Sequence, residues 1–332
     1  MSRRSRKTWR ELHAVQVGLS LIELLVAMTI GGILIFGAAK VYVDSRKTYE
    51  LNETTARLQE TARYALSIVE ADIRMSNYWG LVKGAGVLTG TARQSEASAG
   101  APTSCGVNFA RDLLTNLEAD NNSYGFTCTA YGAGAVGSAD TLVVRRAAVA
   151  TAAAGAGRLQ ICSTRVSGEL VTDSSGCTAA PEGRINNLIV NAYYVSRDSV
   201  DAVGIPALRR HTLIAGPAFR DDEIIPGIED MQVQFGIDPT GVNGSAARYV
   251  NPNEVNDGEQ IVSVRIWLLV RADTEEVGFE DGRIYSYGDR VSNDTTNNLS
   301  DAAAATRRYA PADGFRRLLV SRTIQIRNAL GT

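Results

Sequence analysis

The chain has 332 residues, 45% of them hydrophobic, with 31 glycines and a formal net charge of −2. That length and apolar content set disorder aside and allow one sizeable globular domain, or two small ones, beyond any anchoring segment. A near-neutral to acidic balance gives no general pull toward nucleic acid or anionic lipid.

The charge is unevenly placed at the start. Residues 1 to 18 hold Arg3, Arg4, Arg6, Lys7 and Arg10 against Glu11 alone, a bias that keeps this end cytoplasmic while the body of the chain is exported. From Leu19 to Ala39 the chain runs 21 residues with Glu23 as its single charge. As a helix rising 1.5 Å per residue this run is roughly 30 Å long, one hydrocarbon thickness. A carboxylate inside such a segment costs about 2.5 to 3.5 kcal/mol at mid-membrane and less near an end, so a neutralising partner is expected. Cleavage after Gly18 would create one, an α-amino group at Leu19 four residues before Glu23. Losing the leader also leaves 29 basic against 35 acidic side chains, an acidic mature chain. A secretory signal cut near Gly37-Ala38-Ala39, or a plain single-span anchor, accounts for the apolar run but not for Glu23 beside Gly18.

The stretch Gly18-Leu19-Ser20-Leu21-Ile22-Glu23 resembles the type IV prepilins. The resemblance implies cleavage between Gly18 and Leu19 by a prepilin peptidase that also methylates the new N-terminus. It further implies that Glu23 pairs with the terminal amine of a neighbouring subunit as apolar helices bundle. Phenylalanine is the usual first mature residue in that family, and this chain has Leu19.

Past the span, Leu51, Thr55, Leu58, Ala62, Ala65, Val69 and Ile73 recur at helical spacing, with Arg57, Glu60, Arg63 and Glu70 elsewhere on the cylinder. This predicts an amphipathic helix over 40–78 that continues the membrane helix of 19–39, since no proline occurs before Pro102. Residues 79–140 are rich in small and polar types and read as an irregular connection. Its Gly132-Ala133-Gly134-Ala135-Val136-Gly137 run has dinucleotide-loop spacing, but the apolar run after it at Thr141–Arg146 reads as a strand and not the required helix. Strands are predicted there and at 158–162, 188–195, 208–214, 231–237, 261–271 and 318–327, most with period-two alternation. Strands after a helix, with hairpin-length connections, indicate an α+β domain over 141–332, with a mainly antiparallel sheet packed on the helix.

Cys105, Cys128, Cys162 and Cys177 all lie beyond the membrane segment, in an oxidising compartment if that part is exported. Four cysteines allow three pairings; 105–128 with 162–177 is favoured, because each bond staples a local glycine-rich loop. Closing loops of this size stabilises by about 3 kcal/mol each. The spacing lacks the paired C-x-x-C of a zinc site, so no metal is expected. His211 is the one histidine after the leader, and a histidine in an alternating strand is ordinarily packed or surface-exposed. With no nucleophile elbow, zincin or phosphate-loop motif, neither an enzyme nor a cofactor is expected. Asp221-Asp222-Glu223 reads as a solvated turn in place of a calcium loop. The doublets Arg145-Arg146, Arg209-Arg210, Arg307-Arg308 and Arg316-Arg317 read as strand-flanking or interface arginines, not a DNA-binding stripe.

The segments Pro226–Gly236, Val264–Arg271 and Arg322–Asn328 look like those of the PilW-type minor pilins, and J-type pseudopilins of type II secretion share parts of them. This resemblance implies a pilin-like fold and residence in the inner membrane with the C-terminal domain periplasmic, then incorporation into a pilus, at its tip. The partners implied are other minor pilins, the major pilin, the inner-membrane assembly platform and a large tip adhesin. The function implied is priming or capping of filament assembly in support of twitching motility and adhesion. A J-type pseudopilin and a membrane-anchored binding protein that never polymerises are the alternatives.

Overall fold

A computed structural model of the protein describes residues 20–96, 105–155, 157–172, 182–216, 218–289, 308–309 and 311–329. The chain divides into two compact units, one up to Glu53 and one from Thr54 onward. One helix, α1 (Leu21–Arg74), passes through both. Its first part exposes apolar side chains on every side, Leu21 at 77% and Phe36 at 74% among them, as suits a segment whose solvent is lipid. In the second unit α1 buries a single stripe of Leu58, Ala62, Ala65, Leu66, Val69 and Ile73, the spacing read from the sequence. The helix stops at Arg74, slightly short of the predicted end. Met75 and Ser76 donate to Asp72 and Ile73 carbonyls in a tightened last turn, and Asn77 then takes a left-handed φ of 61°.

The strands in chain order are β1 (Tyr78–Trp79), β2 (Val82–Lys83), β3 (Leu88–Thr89), β4 (Leu117–Glu118), β5 (Leu142–Thr151), β6 (Gln160–Ser163), β7 (Gly168–Val171) and β8 (Arg184–Ser196). They continue as β9 (Ala207–Ile214), β10 (Ala218–Pro226), β11 (Ile228–Asp238), β12 (Arg248–Val250), β13 (Gln260–Glu275), β14 (Tyr285–Ser286), β15 (Arg308–Tyr309) and β16 (Phe315–Gln325). An eight-stranded sheet takes the path β10-β9-β8-β6-β7-β3, with β5 also on β8 and β4 on β5. β8 is long enough to serve three neighbours: β9 pairs with 191–196 and β6 with 184–187, while β5 spans 186–193 on the opposite edge. A second, four-stranded antiparallel sheet runs β12-β11-β13-β16. Among these pairings only β3 with β7 is parallel, so the architecture is the expected α+β, antiparallel-rich class.

Alternation decides what each face buries. Met231, Val233 and Phe235 of β11, Val264, Ile266 and Leu268 of β13, and Leu142, Val144, Tyr193 and Val195 of the larger sheet meet the stripe of α1 in one core. The opposite face of the larger sheet, with Val143, Ala147, Val190, Ala192 and Tyr194, is also dry. Trp79, Phe109, Leu113 and Phe126 of the connection cover it. The segment 79–140 is thus irregular in backbone, as composition indicates, yet packed as the lid of a second core.

The solvated turn expected at Asp221-Asp222-Glu223 is corrected by the structure, which places all three residues inside β10. Acidic residues are poor strand formers, but each here meets an arginine: Asp221 and Glu223 meet Arg209 at 3.1 and 2.8 Å, and Asp222 meets Arg220 at 2.7 Å. Charge pairing of this kind offsets the unfavourable propensity.

Candidate functional site

The start of α1 carries the residues that the sequence marks. Gly18 and Leu19 lie outside the described residues. Ser20 is the residue before the helix and Glu23 sits in its first turn. The Ser20 backbone N–H and hydroxyl donate to Glu23 Oε2 at 2.9 and 3.0 Å, and the Glu23 N–H donates to Ser20 Oγ at 3.3 Å. This is a capping box, in which the serine satisfies an orphan helix N–H and the glutamate reaches back to the chain before the helix. The S-x-x-E spacing that encodes it is present in the sequence, overshadowed there by the meaning of a lone acid in an apolar run. Among the described residues no bond engages Glu23 Oε1, so the carboxylate keeps one oxygen for another donor while the other fixes its rotamer. By length and composition, the helix is long and apolar enough to cross a membrane.

The second unit holds the remaining candidates. Cys105 and Cys128 are joined by a disulfide over a sequence separation of 23. Cys162 is also disulfide-bonded, and Cys177 lies outside the described residues. Beside the Cys105–Cys128 bond is His211 on β9, buried and stacked on Tyr194 at 4.9 Å. His211 Nε2 and the Tyr124 hydroxyl are 2.8 Å apart, and that hydroxyl also donates to the Cys128 carbonyl. Burial holds the His211 pKa below its ordinary value, so the ring is neutral at neutral pH. Phe109, Phe126 and Phe219 pack edge-on around the same cluster. The imidazole therefore pins the lid to the sheet and is placed as a packing group.

Cys105, Cys128 and His211 converge closely enough to hold a metal ion, but both sulfurs are spent in the disulfide, and a metal takes thiolates. The donor set does not fit a metal. Nor do the doublets Arg145-Arg146, Arg209-Arg210 and Arg316-Arg317 form a stripe, because neighbours on a strand point to opposite faces. Arg145 is buried against Glu118 at 2.7 Å, and Arg209 against Asp221 and Glu223. Arg317 is buried between Glu229 at 2.5 Å and Asp313 at 2.6 Å. These side chains are internal struts. Arg307 lies outside the described residues.

Comparison with known proteins finds a family resemblance over part of the chain. The model of the PilW family, type IV pilus-assembly protein W, matches residues 192–328, from the end of β8 to just past β16. A type IV-like pilin from Thermus thermophilus is similar at 12% identity and a TM-score of 0.34, over 83% of this chain and 98% of that one. None of the curated proteins compared matches the chain.

Proposed function

We propose that this chain is a PilW-type minor pilin of type IV pilus assembly, a reading that the family match over residues 192–328 supports, and that it enters the filament by helix bundling. The single observation that carries the reading is Glu23. It is the one charge in the apolar stretch of α1 up to Ala39, held in the first turn with one oxygen committed to Ser20 and, among the described residues, one available. Cleavage between Gly18 and Leu19 places a new amine on a subunit of this kind, and the amine of a neighbouring subunit supplies the donor that Oε1 lacks. In lipid such a pair offsets the cost of burying each charge alone.

The partner helices must also be apolar. Extracting the exposed residues between Leu21 and Val43 into water would forfeit about 25 cal/mol for every Å² of apolar surface, so the helix leaves the bilayer only into a bundle of like helices. Other minor pilins, the major pilin and the inner-membrane platform are the partners that this physics and the family favour. Priming or capping of the filament, with its consequences for twitching and adhesion, results from low-copy entry of this kind. Mechanism here is association; no described group is arranged for catalysis. N-terminal mass analysis of the protein from its native host tests the reading. A chain starting at Leu19, carrying one added methyl group, is the expected result. A chain starting at Met1, or beyond Ala39, overturns it.

A further inference from the structure

A cavity of about 340 Å³ lies against Asp72 near the C-terminal end of α1, with Arg146, Arg158, Arg210, Asn191 and Thr212 in its wall. Three guanidinium groups face one carboxylate there, and the hydrogen bonds show how far that carboxylate reaches. Asp72 Oδ1 accepts from Arg146 Nε at 3.0 Å and Nη2 at 2.6 Å, and Oδ2 accepts from Asn191 Nδ2 and the Tyr193 hydroxyl at 2.5 Å each. Asp72 is therefore saturated, and it neutralises Arg146. Thr212 turns its hydroxyl proton to Asn191 Oδ1 at 2.7 Å, which fixes the amide that holds Asp72.

Arg158 and Arg210 remain. Arg158 is exposed, and no hydrogen bond or ion pair engages it among the described residues. Arg210 touches the Tyr193 hydroxyl and stands opposite Asp222 across β9 and β10. Asp222 is itself held by two bonds from Arg220, at 2.7 and 2.9 Å. Arg210 Nε is buried and meets no acceptor. A buried charged donor without an acceptor is costly and is ordinarily satisfied by something. Here two cationic forks in surplus line one polar cavity, and the planar fork of arginine matches the two oxygens of an oxyanion.

We propose that this cavity binds an oxyanion, a carboxylate or phosphate group, between Arg158 and Arg210, with Arg146 and Asp72 as the fixed wall. The group comes from an acidic side chain of another protein chain or from a phosphate; the two share the recognition chemistry. The site is independent of helix bundling and stands or falls apart from it.

Titration calorimetry of the full-length chain in detergent with inorganic phosphate, against chloride at matched ionic strength, tests the proposal. The wild-type chain should give a saturable one-to-one isotherm with phosphate and none with chloride. Arg158→Gln, at an exposed position with no bond to lose among the described residues, should keep the wild-type melting temperature and bind phosphate roughly tenfold more weakly, the loss of one charge-assisted contact. Arg248→Gln, outside the cavity, should leave the isotherm unchanged. Competition by a glutamate-bearing peptide identifies a carboxylate as a second accepted source, and failure to compete assigns the site to phosphate. Absence of a saturable isotherm, or equal isotherms for wild type and Arg158→Gln, overturns the proposal.

Discussion

Asp72 is the residue that the helical stripe hides. Between Val69 and Ile73 it falls on the buried side of α1, yet an aspartate invites assignment to the polar face, because nothing in the sequence announces Arg146, Asn191 and Tyr193 as its partners. Those partners are supplied by strands far away in sequence, and only the packed sheet brings them together. Removing the carboxylate leaves a largely buried arginine and a buried tyrosine hydroxyl without their acceptor. Asp72→Ala should therefore destabilise the chain by about 3 kcal/mol, read as a lower urea midpoint at unchanged slope. Asp140 presents the opposite case. It accepts from the Asn122 and Val233 backbone N–H groups at 2.8 and 2.7 Å, but burial outweighs them. With Asp289 and Asp230 adding to burial, the carboxyl is pushed up to about 8. The folded chain then holds this proton more tightly than the unfolded chain. The contribution to stability is complete below the ordinary carboxyl value of 3.8 and is lost as pH rises through about 8. Asp140→Asn stays neutral throughout and keeps an acceptor for one N–H. Its urea-unfolding free energy should accordingly fall less than the wild type's between about pH 4 and pH 8.

At the scale of elements, legibility tracks periodicity. The stripe of α1 and the strands β8, β9, β11, β13 and β16 stand in the sequence because apolar residues recur along them at helical or strand spacing, although strands such as β8 are buried on both faces for part of their length. β10 does not, since its acids are compensated by Arg209 and Arg220 and not by local preference. The lid formed by residues 79–140 is harder still. Trp79, Phe109, Leu113 and Phe126 bury against the sheet with no repeat between them, so composition identifies the irregular backbone and misses the core beneath it. The Cys105–Cys128 bond closes a loop within this lid, next to the ring cluster of Tyr124, Tyr194 and His211. Replacing both cysteines with serine should cost about 3 kcal/mol in the chain-entropy account. Denaturation with the remaining disulfide intact checks this. Hydrogen exchange should show the extra opening first in the lid, because Cys105, Phe109, Leu113 and Phe126, at and within the closed loop, pack in the core between lid and sheet.

For the molecule as a whole, the proposed assembly rests on few residues at fixed spacing: a basic leader, Gly18, Leu19 and one acid in an apolar run. What the spacing concealed is that Glu23 has two tasks. As the partner of Ser20 it starts the helix, and in the proposed assembly it is also the charge in lipid that an amine must meet. Substitutions separate them. Glu23→Gln keeps an amide oxygen that can accept from the Ser20 N–H, so the capping box survives while the charge is gone. Ser20→Ala removes the serine's side of the box, at about 1 kcal/mol, and leaves the charge in place. If the charge drives entry into the bundle, cells carrying Glu23→Gln should lose surface pili as completely as cells carrying Glu23→Ala, with the protein still present in the membrane. Ser20→Ala cells should remain piliated. Electron microscopy of sheared pili, with immunoblots of the membrane fraction, reads both outcomes. Piliated Glu23→Gln cells beside bald Glu23→Ala cells would mean that the glutamate matters only as a helix cap, and the proposed pairing with a neighbour's amine would be wrong.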